Sequence, residues 1–507
     1  MHKKRLVILD LLSNKDIYRE NCYILRLDKG LIKLNNYIDI TSDLNLQNEK
    51  KNDKEISKRI LSYLLKFKHL FEDNDIFKSE ISNYRNDKIE TFKKISNILE
   101  IRKRKLEKKY IVEVITDKSN EKLIYNQFLK NYKLIDLSSG KVLNHHIRFF
   151  LSRTKFFFKI LFISLYLKAF TKEKDISKYV GLSIFPILTK NYQINFYQKS
   201  KLTYLNFLFT DESHTNKNIF ELFKIIQKLR IKKDFYLIER DIEVMDIIKN
   251  YLSSLKFLFF LNKIFKTELY IYNINFNHLL NQYFLESIIN LNKLENYKNP
   301  LKKIFQKKNF LKEFHYFLFE YNFGFFLTDL IKKNNGKVKL YGYQHGIFDN
   351  DNKWLSIISK LRFKKNFFPD IIYYKFKSSK IAYSKKFGKK LIFNNKFPPD
   401  KQIKKVFKKI KKNSNNCLFY LGLHDGFEIL NEILVQEKFM RRYDKIYIKL
   451  HPKKTILQKS FRNKKFKFIK SFDNIHIKDI FVSPTSSLKY SFKESKLPFK
   501  SAQVAYK

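Results

Sequence analysis

The chain has 507 residues, enough for two or three domains with their own cores, and 44% are hydrophobic and 17% aromatic, which excludes an intrinsically disordered protein. Lys and Arg number 103 against 49 Asp and Glu, giving a net charge of +54. A field of that sign attracts nucleic acid, acidic lipid headgroups or anionic substrates. The two cysteines, Cys22 and Cys417, lie far apart, which excludes a disulfide framework or a Cys-type metal site and fits a reducing, cytoplasmic compartment.

In chain order, the basic start Met1-His2-Lys3-Lys4-Arg5 leads into an apolar run that Asp10 and Asn14 interrupt, which predicts a first strand in place of a signal-peptide core. Residues 1–45 alternate apolar runs with polar turns and are expected to be strand and loop. Residues 46–109 carry Ile56, Ile60, Leu61, Leu64 and Leu65 at helical spacing, and Tyr110 to Ile115 follows as a strand. A Phe-rich helix is expected over 146–170. Lys159 and Lys168 interrupt its apolar part, which falls short of the roughly 18 residues of a membrane span. It is expected to be a buried core helix; the alternative, prompted by Arg148 and Arg153, is a basic amphipathic helix on an anionic membrane surface.

The run from Leu202 to Phe209 predicts a buried strand, with Asp211-Glu212-Ser213 placed to cap a helix beginning near Asn218. Phe235 to Ile238 is expected as a strand, 251–332 as mostly helical, and Lys337 to Tyr343 as a further strand. The segment 396–416, with Pro398, Pro399 and a lysine run, has the composition of a linker. Beyond it come strand (Cys417 to Gly422), helix (Phe427 to Lys438) and strands at Lys445 to Leu450, Phe466 to Ile469 and Ile480 to Val482. This alternation implies a parallel sheet.

Three strand exits carry chemistry. Tyr341-Gly342-Tyr343-Gln344-His345-Gly346 places an amide, an imidazole and a permissive glycine after one strand, with Glu320 upstream. Lys449-Leu450-His451-Pro452 places a histidine where proline ends another strand, with Lys449 supplying charge for a phosphate. Ser483-Pro484-Thr485-Ser486-Ser487 follows a third and leads into a predicted helix, where hydroxyls and N–H groups either hold an anion or cap the helix. Gly422 lies in a turn that can approach a nucleotide, but the turn lacks GxGxxG and the lysine of a Walker loop. Ligands of open α/β sheets bind outside the carboxyl ends of the strands. Three such exits suggest one polar site.

The succession Tyr-Gly-Tyr-Gln-His-Gly, Pro369-Asp370, Lys-Leu-His-Pro and Ser-Ser resembles bacterial surface-polysaccharide transferases of the GT-B fold, over roughly 200–507. The most similar families are capsular Kdo transferases and polysialyltransferases, with CDP-glycerol glycerophosphotransferases as relatives. The resemblance puts His451, Ser486 and Ser487 on the nucleotide phosphate and makes His345, across the cleft, a candidate base or acceptor-site residue. It also implies an acid where this chain has Ser491 and a glycine where Lys496 stands, and an acidic-acidic-Gly motif that appears as His424-Asp425-Gly426.

The expectation is therefore an α/β, GT-B-like protein: a mixed helix-rich N-terminal region (1–200), an acceptor-side Rossmann-like domain (201–395) and a nucleotide-side one (413–507), the last two facing a cleft. The expected activity is inverting, metal-independent transfer of a sugar from a nucleotide donor, CMP-linked for choice, to a surface glycan or lipopolysaccharide acceptor. His345, His451 and Glu320 are the catalytic candidates. Lys449, Thr485, Ser486 and Ser487 are phosphate-binding candidates, with Gln344, Gly346 and Gly422 in support. No cofactor and no nucleic acid partner are expected; contact with the inner membrane is. The rival readings are a basic nucleic-acid-binding protein, motivated by charge, and a non-catalytic transferase-like scaffold, motivated by Ser491 and Lys496.

Overall fold

The computed structural model describes residues 4–10, 22–26, 37–39, 98–116, 131–136, 145–172, 174–183, 202–209, 218–231, 233–265, 268–271, 274–275, 293–307, 311–318, 322–344, 368–374, 376–387, 392–394, 406–422, 426–450, 463–472, 475–484 and 488–502, with single positions at 59, 95, 125, 129, 277, 403 and 486. The protein is α/β and is built on three parallel sheets. By contacts the chain divides into two units, one of 1–50, 90–141 and 398–507, the other of 51–89 and 142–397.

The first sheet holds β1 (Arg5–Asp10), β2 (Cys22–Arg26), β3 (Tyr37–Asp39), β4 (Ile111–Thr116) and β5 (Tyr132–Asp136), all parallel in the order β3-β2-β1-β4-β5. Helix α1 (Leu106–Lys109) turns the chain into β4. Leu6, Val7, Ile8 and Leu9 are consecutive and all buried. Such unbroken apolar runs are what strands covered on both faces require. The first strand is where the sequence puts it. Within the mixed N-terminal region, the strands between residues 5 and 136 form a parallel sheet of doubly wound order.

In the second unit, α2 (His145–Phe170) is followed by the elements of the second sheet. The chain continues through β6 (Tyr179–Ser183), β7 (Thr203–Asn206), α3 (Ile219–Arg230), β8 (Phe235–Leu237), α4 (Val244–Phe265) and the antiparallel pair β9 (Tyr270–Ile271) and β10 (Ile274–Asn275). Next come α5 (Lys298–Lys307), β11 (Glu313–Leu318), α6 (Asn322–Asn334), β12 (Lys339–Gln344), β13 (Ile371–Tyr373), α7 (Lys377–Phe387) and β14 (Ile392–Asn394). Seven of the strands form one parallel sheet, β14-β13-β12-β11-β6-β7-β8. Winding reverses between β6 and β11.

Local chemistry explains the helices. The Asn218 side chain accepts the Glu221 N–H at 2.8 Å and so caps α3, whose cationic residues Lys228 and Arg230 fall in its last turn. Leu222, Ile225, Ile226 and Leu229 form its buried stripe, each contributing about 1.5–3 kcal/mol. Asp211-Glu212-Ser213, expected as the cap, lies outside the described residues.

The stretch 251–332 is mostly helical among the described residues, as expected, and also contains β11, a strand buried between β6 and β12. One expectation is corrected here. The boundary expected between residues 200 and 201 falls inside the second sheet, because β6 precedes it and pairs with both β7 and β11.

The third sheet holds β15 (Asn416–Tyr420), β16 (Lys445–Lys449), β17 (Phe466–Phe468), β18 (Asp479–Val482) and β19 (Lys500–Ser501), parallel in the order β17-β16-β15-β18-β19. Helices α8 (Gly426–Val435), α9 (Glu437–Arg442) and α10 (Leu488–Glu494) accompany it. One face packs Cys417, Phe419, Leu421, Ile429, Ile433 and Phe481; the other packs Leu418, Tyr420, Ile480, Val482 and Phe492. The second face also takes Ile403 and Val406. Part of the segment expected as a linker is thus core, and Ile410 makes a parallel bridge with Ile477.

Candidate functional site

At the carboxyl end of the third sheet, Lys449 of β16, Tyr420 of β15 and Val482 of β18 pair in one row. Just past that row, the Leu421 N–H donates to the Lys449 carbonyl at 3.1 Å and the Ser483 N–H to the Tyr420 carbonyl at 2.9 Å. The exits carrying Gly422, Lys449 and Ser483 therefore lie side by side, although 27 and 34 residues separate Lys449 from Gly422 and Ser483 from Lys449 (449 − 422; 483 − 449). The strand order reverses between β15 and β18, the position where open α/β sheets leave a crevice for ligands.

Gly422 is buried at the end of β15, and four residues later Gly426 opens α8. A Cβ on Gly426 would meet the Leu421 Cβ at 3.0 Å, so glycine is what lets the helix start against the strand. In doubly wound sheets the first strand-to-helix turn approaches a phosphate, whose charge the free N–H groups of the helix start satisfy. The sequence offered Gly422 as a support and Gly426 only as the end of His424-Asp425-Gly426; the spacing of Gly426 from Gly422, between a strand and a helix, is the signal that marks it as the helix start.

Lys449 shares the face of Tyr420, with its ammonium over the Phe472 ring at 5.5 Å and donating to the Lys470 carbonyl. Burial lowers its pKa. One of its three donors is thus used on the protein itself. Ser483 is fully buried and starts a turn through Pro484 that the Ser486 N–H closes onto the Ser483 carbonyl at 3.0 Å. The Ser486 hydroxyl accepts the Leu488 N–H at 3.3 Å, so Ser486 caps α10, the second of the two roles its position allowed. His451, Thr485 and Ser487 lie outside the described residues.

At the far end of the sheet, Asp479 accepts the Tyr443 hydroxyl at 2.6 Å and pairs with Lys500 at 2.8 Å. Burial pushes its carboxyl up, but hydrogen bonds from Lys500 and Tyr443, with the Lys500 charge, hold it below the usual range. This clasp ties β18 to β19.

In the second unit, β11 and β12 end in register at Leu318 and Gln344. Gln344 is buried and its amide donates to the Ser379 hydroxyl in the first turn of α7 at 2.7 Å. It was expected at the rim of the site and instead fastens strand to helix. Glu320, His345 and Gly346 lie outside the described residues. The strand that sequence reasoning missed carries a buried polar chain: Glu313 Oε2 to His315 Nε2 at 3.1 Å, and His315 Nδ1 to the Tyr343 hydroxyl at 2.9 Å. His315 stacks on Tyr341 at 4.6 Å, and Tyr343 on Tyr373 at 4.6 Å. Burial, with the Glu313 charge, raises the Tyr341 hydroxyl to about 12.

A second buried acid lies beyond β8. Glu239 is fully buried in a 3₁₀ turn, where its Oε1 accepts the Tyr297 hydroxyl at 2.6 Å and the Leu208 N–H at 2.5 Å. Its Oε2 has no hydrogen-bond partner among the described residues, and burial raises its pKa to about 7.

No protein-family model, curated protein or solved structure matches this chain.

Proposed function

We propose that the third sheet binds a nucleotide and that the chain is a metal-independent glycosyltransferase of the GT-B kind. The observation that carries this reading is the row Lys449–Tyr420–Val482, set at the strand-order reversal with the Gly422-to-Gly426 turn beside it. The left-handed backbone of Lys496, with φ 53°, adds support, because the transferase families that the sequence resembles carry glycine at this point.

In this reading the phosphate of a nucleotide-sugar, CMP-linked for choice, meets the N–H groups opening α8, with Lys449 and His451 as cationic partners. Charge grows on that phosphate as the sugar departs, and these donors stabilise it by several kcal/mol, about 2.7–4 for each well-placed one. A base, for which the sequence offers Glu320 or His345, takes the acceptor's hydroxyl proton, and the freed oxygen attacks the anomeric carbon from the side opposite the departing phosphate, inverting it. The acceptor is a surface glycan or lipopolysaccharide.

Transfer from CMP-, CDP- and UDP-sugars tests the reading. His451→Ala lowers the rate about a hundredfold or more with the fold retained; wild-type rates in that variant remove His451 from the mechanism. The net charge of +54 favours a second reading, nucleic-acid binding. Steeply salt-dependent RNA binding without any nucleotide-sugar binding selects it.

A further inference from the structure

Helix α2 has two apolar faces. One packs Phe156, Ile160, Ile163 and Leu167 into the core of the second unit. The other presents Ile147, Leu151, Phe158, Phe162 and Leu165 to solvent, with Phe158 61% exposed. These positions recur at spacings of three, four and seven, so they line one stripe of a helix of 26 residues, about 39 Å long. Arg153, which the sequence suggested for a membrane-facing surface, belongs to neither stripe; it is buried and donates to Ser254 of α4 at 3.3 Å.

The helices on either side continue the stripe. Phe162 and Tyr166 touch Phe223 of α3 at 5.7 and 4.5 Å, while Phe157 touches Tyr251 of α4 at 4.7 Å. One turn before Phe223, Phe220 is 73% exposed, and its row continues through the exposed Lys224 to the exposed Ile231. On α4 the exposed row is Met245, Lys249, Leu252 and Lys256. Large apolar side chains thus alternate with lysines across three neighbouring helices. Lys155, Lys168 and Lys228 are exposed on the same helices. Of the exposed acids, Glu243 is already paired with Lys303.

Contiguous exposed apolar surface of this kind marks an interaction site. Its charge chooses among occupants. A second copy of the chain would bring like lysines face to face. A nucleic acid would satisfy the lysines but leave Leu151, Leu165, Met245 and Leu252 without apolar partners. A bilayer bearing anionic headgroups satisfies both sets, burying the apolar row at the acyl boundary while the lysines reach the phosphates. We propose that the face formed by α2, α3 and α4 docks on an anionic lipid bilayer, lying in its interface. Among the described residues no helix is long and apolar enough to cross one.

Co-sedimentation of the full chain with vesicles of phosphatidylcholine and phosphatidylglycerol, against phosphatidylcholine alone, tests this at physiological salt. The chain partitions onto the anionic vesicles only. Phe158→Ser with Phe162→Ser lowers partitioning about tenfold or more, and Lys224→Gln and Lys249→Gln lower it about fivefold each, with melting curves showing that each variant folds. A second readout does not depend on loss of binding: Phe158→Trp in a Trp354→Phe background shifts its emission to the blue on anionic vesicles and is quenched by brominated lipid. Equal binding to neutral vesicles, undiminished binding of the folded double Phe variant, or an unquenched Trp at 158 overturns the proposal. So does a chain that binds RNA and no vesicle.

Discussion

Gly426 stands so close to Leu421 that a Cβ on it would lie 3.0 Å from the leucine Cβ. The contact fixes where α8 begins relative to the end of β15, and so sets the turn through Gly422. Gly426→Val forces the helix away from the strand. We expect a loss of about 1–3 kcal/mol in urea unfolding, the usual effect of overpacking, together with weaker nucleotide binding. Unchanged stability and affinity in this variant would show that the close approach does not matter.

Lys496 supplies a second prediction. It follows α10 in the left-handed region, with its own N–H on the Lys493 carbonyl at 3.1 Å and the Leu497 N–H on the Phe492 carbonyl at 3.0 Å, the hydrogen bonds that close a helix at a glycine-like position. Lys496→Gly removes a Cβ clash and stabilises the chain by about 1 kcal/mol, seen as a higher denaturation midpoint. A lower midpoint would mean that the lysine side chain contributes more than its backbone costs.

Glu239 predicts a pH dependence. Its folded pKa is raised from 4.5 to about 7 by burial, so the folded state holds a proton that the unfolded chain releases. Its contribution is present in full below pH 4.5 and is lost as pH rises through about 7. Glu239→Gln keeps a carbonyl for Leu208 and Tyr297 and cannot ionise. Across that window the variant gains on the wild type by about 3 kcal/mol, measured as the difference between their unfolding free energies at each pH. A flat difference contradicts the assignment.

Much of this architecture is legible from residues alone, and the exceptions have physical causes. In the third sheet, β15, β16 and β18 are short apolar runs bounded by polar turns, and each is read to within about two residues. Glu313-Phe314-His315-Tyr316-Phe317-Leu318 escapes, because neither alternation nor helical period marks a strand buried on both faces whose polar residues bond to each other. The segment containing Pro398 and Pro399 has a linker's composition, but Ile403 and Val406 are buried in the third sheet's core. Gln344 and Ser486 were found as polar groups at strand exits; what they bond to, Ser379 and the Leu488 N–H, depends on tertiary neighbours that local sequence does not name.

The central claim is that a nucleotide sits on the carboxyl edge of the third sheet. Amide hydrogen exchange of the full chain with and without CMP, CDP or UDP tests it most directly. One of these slows exchange at Leu421, Gly422 and the amides opening α8, and around Ser483 and Ser486. Protection confined to the first or second sheet, or no protection by any nucleotide, contradicts it.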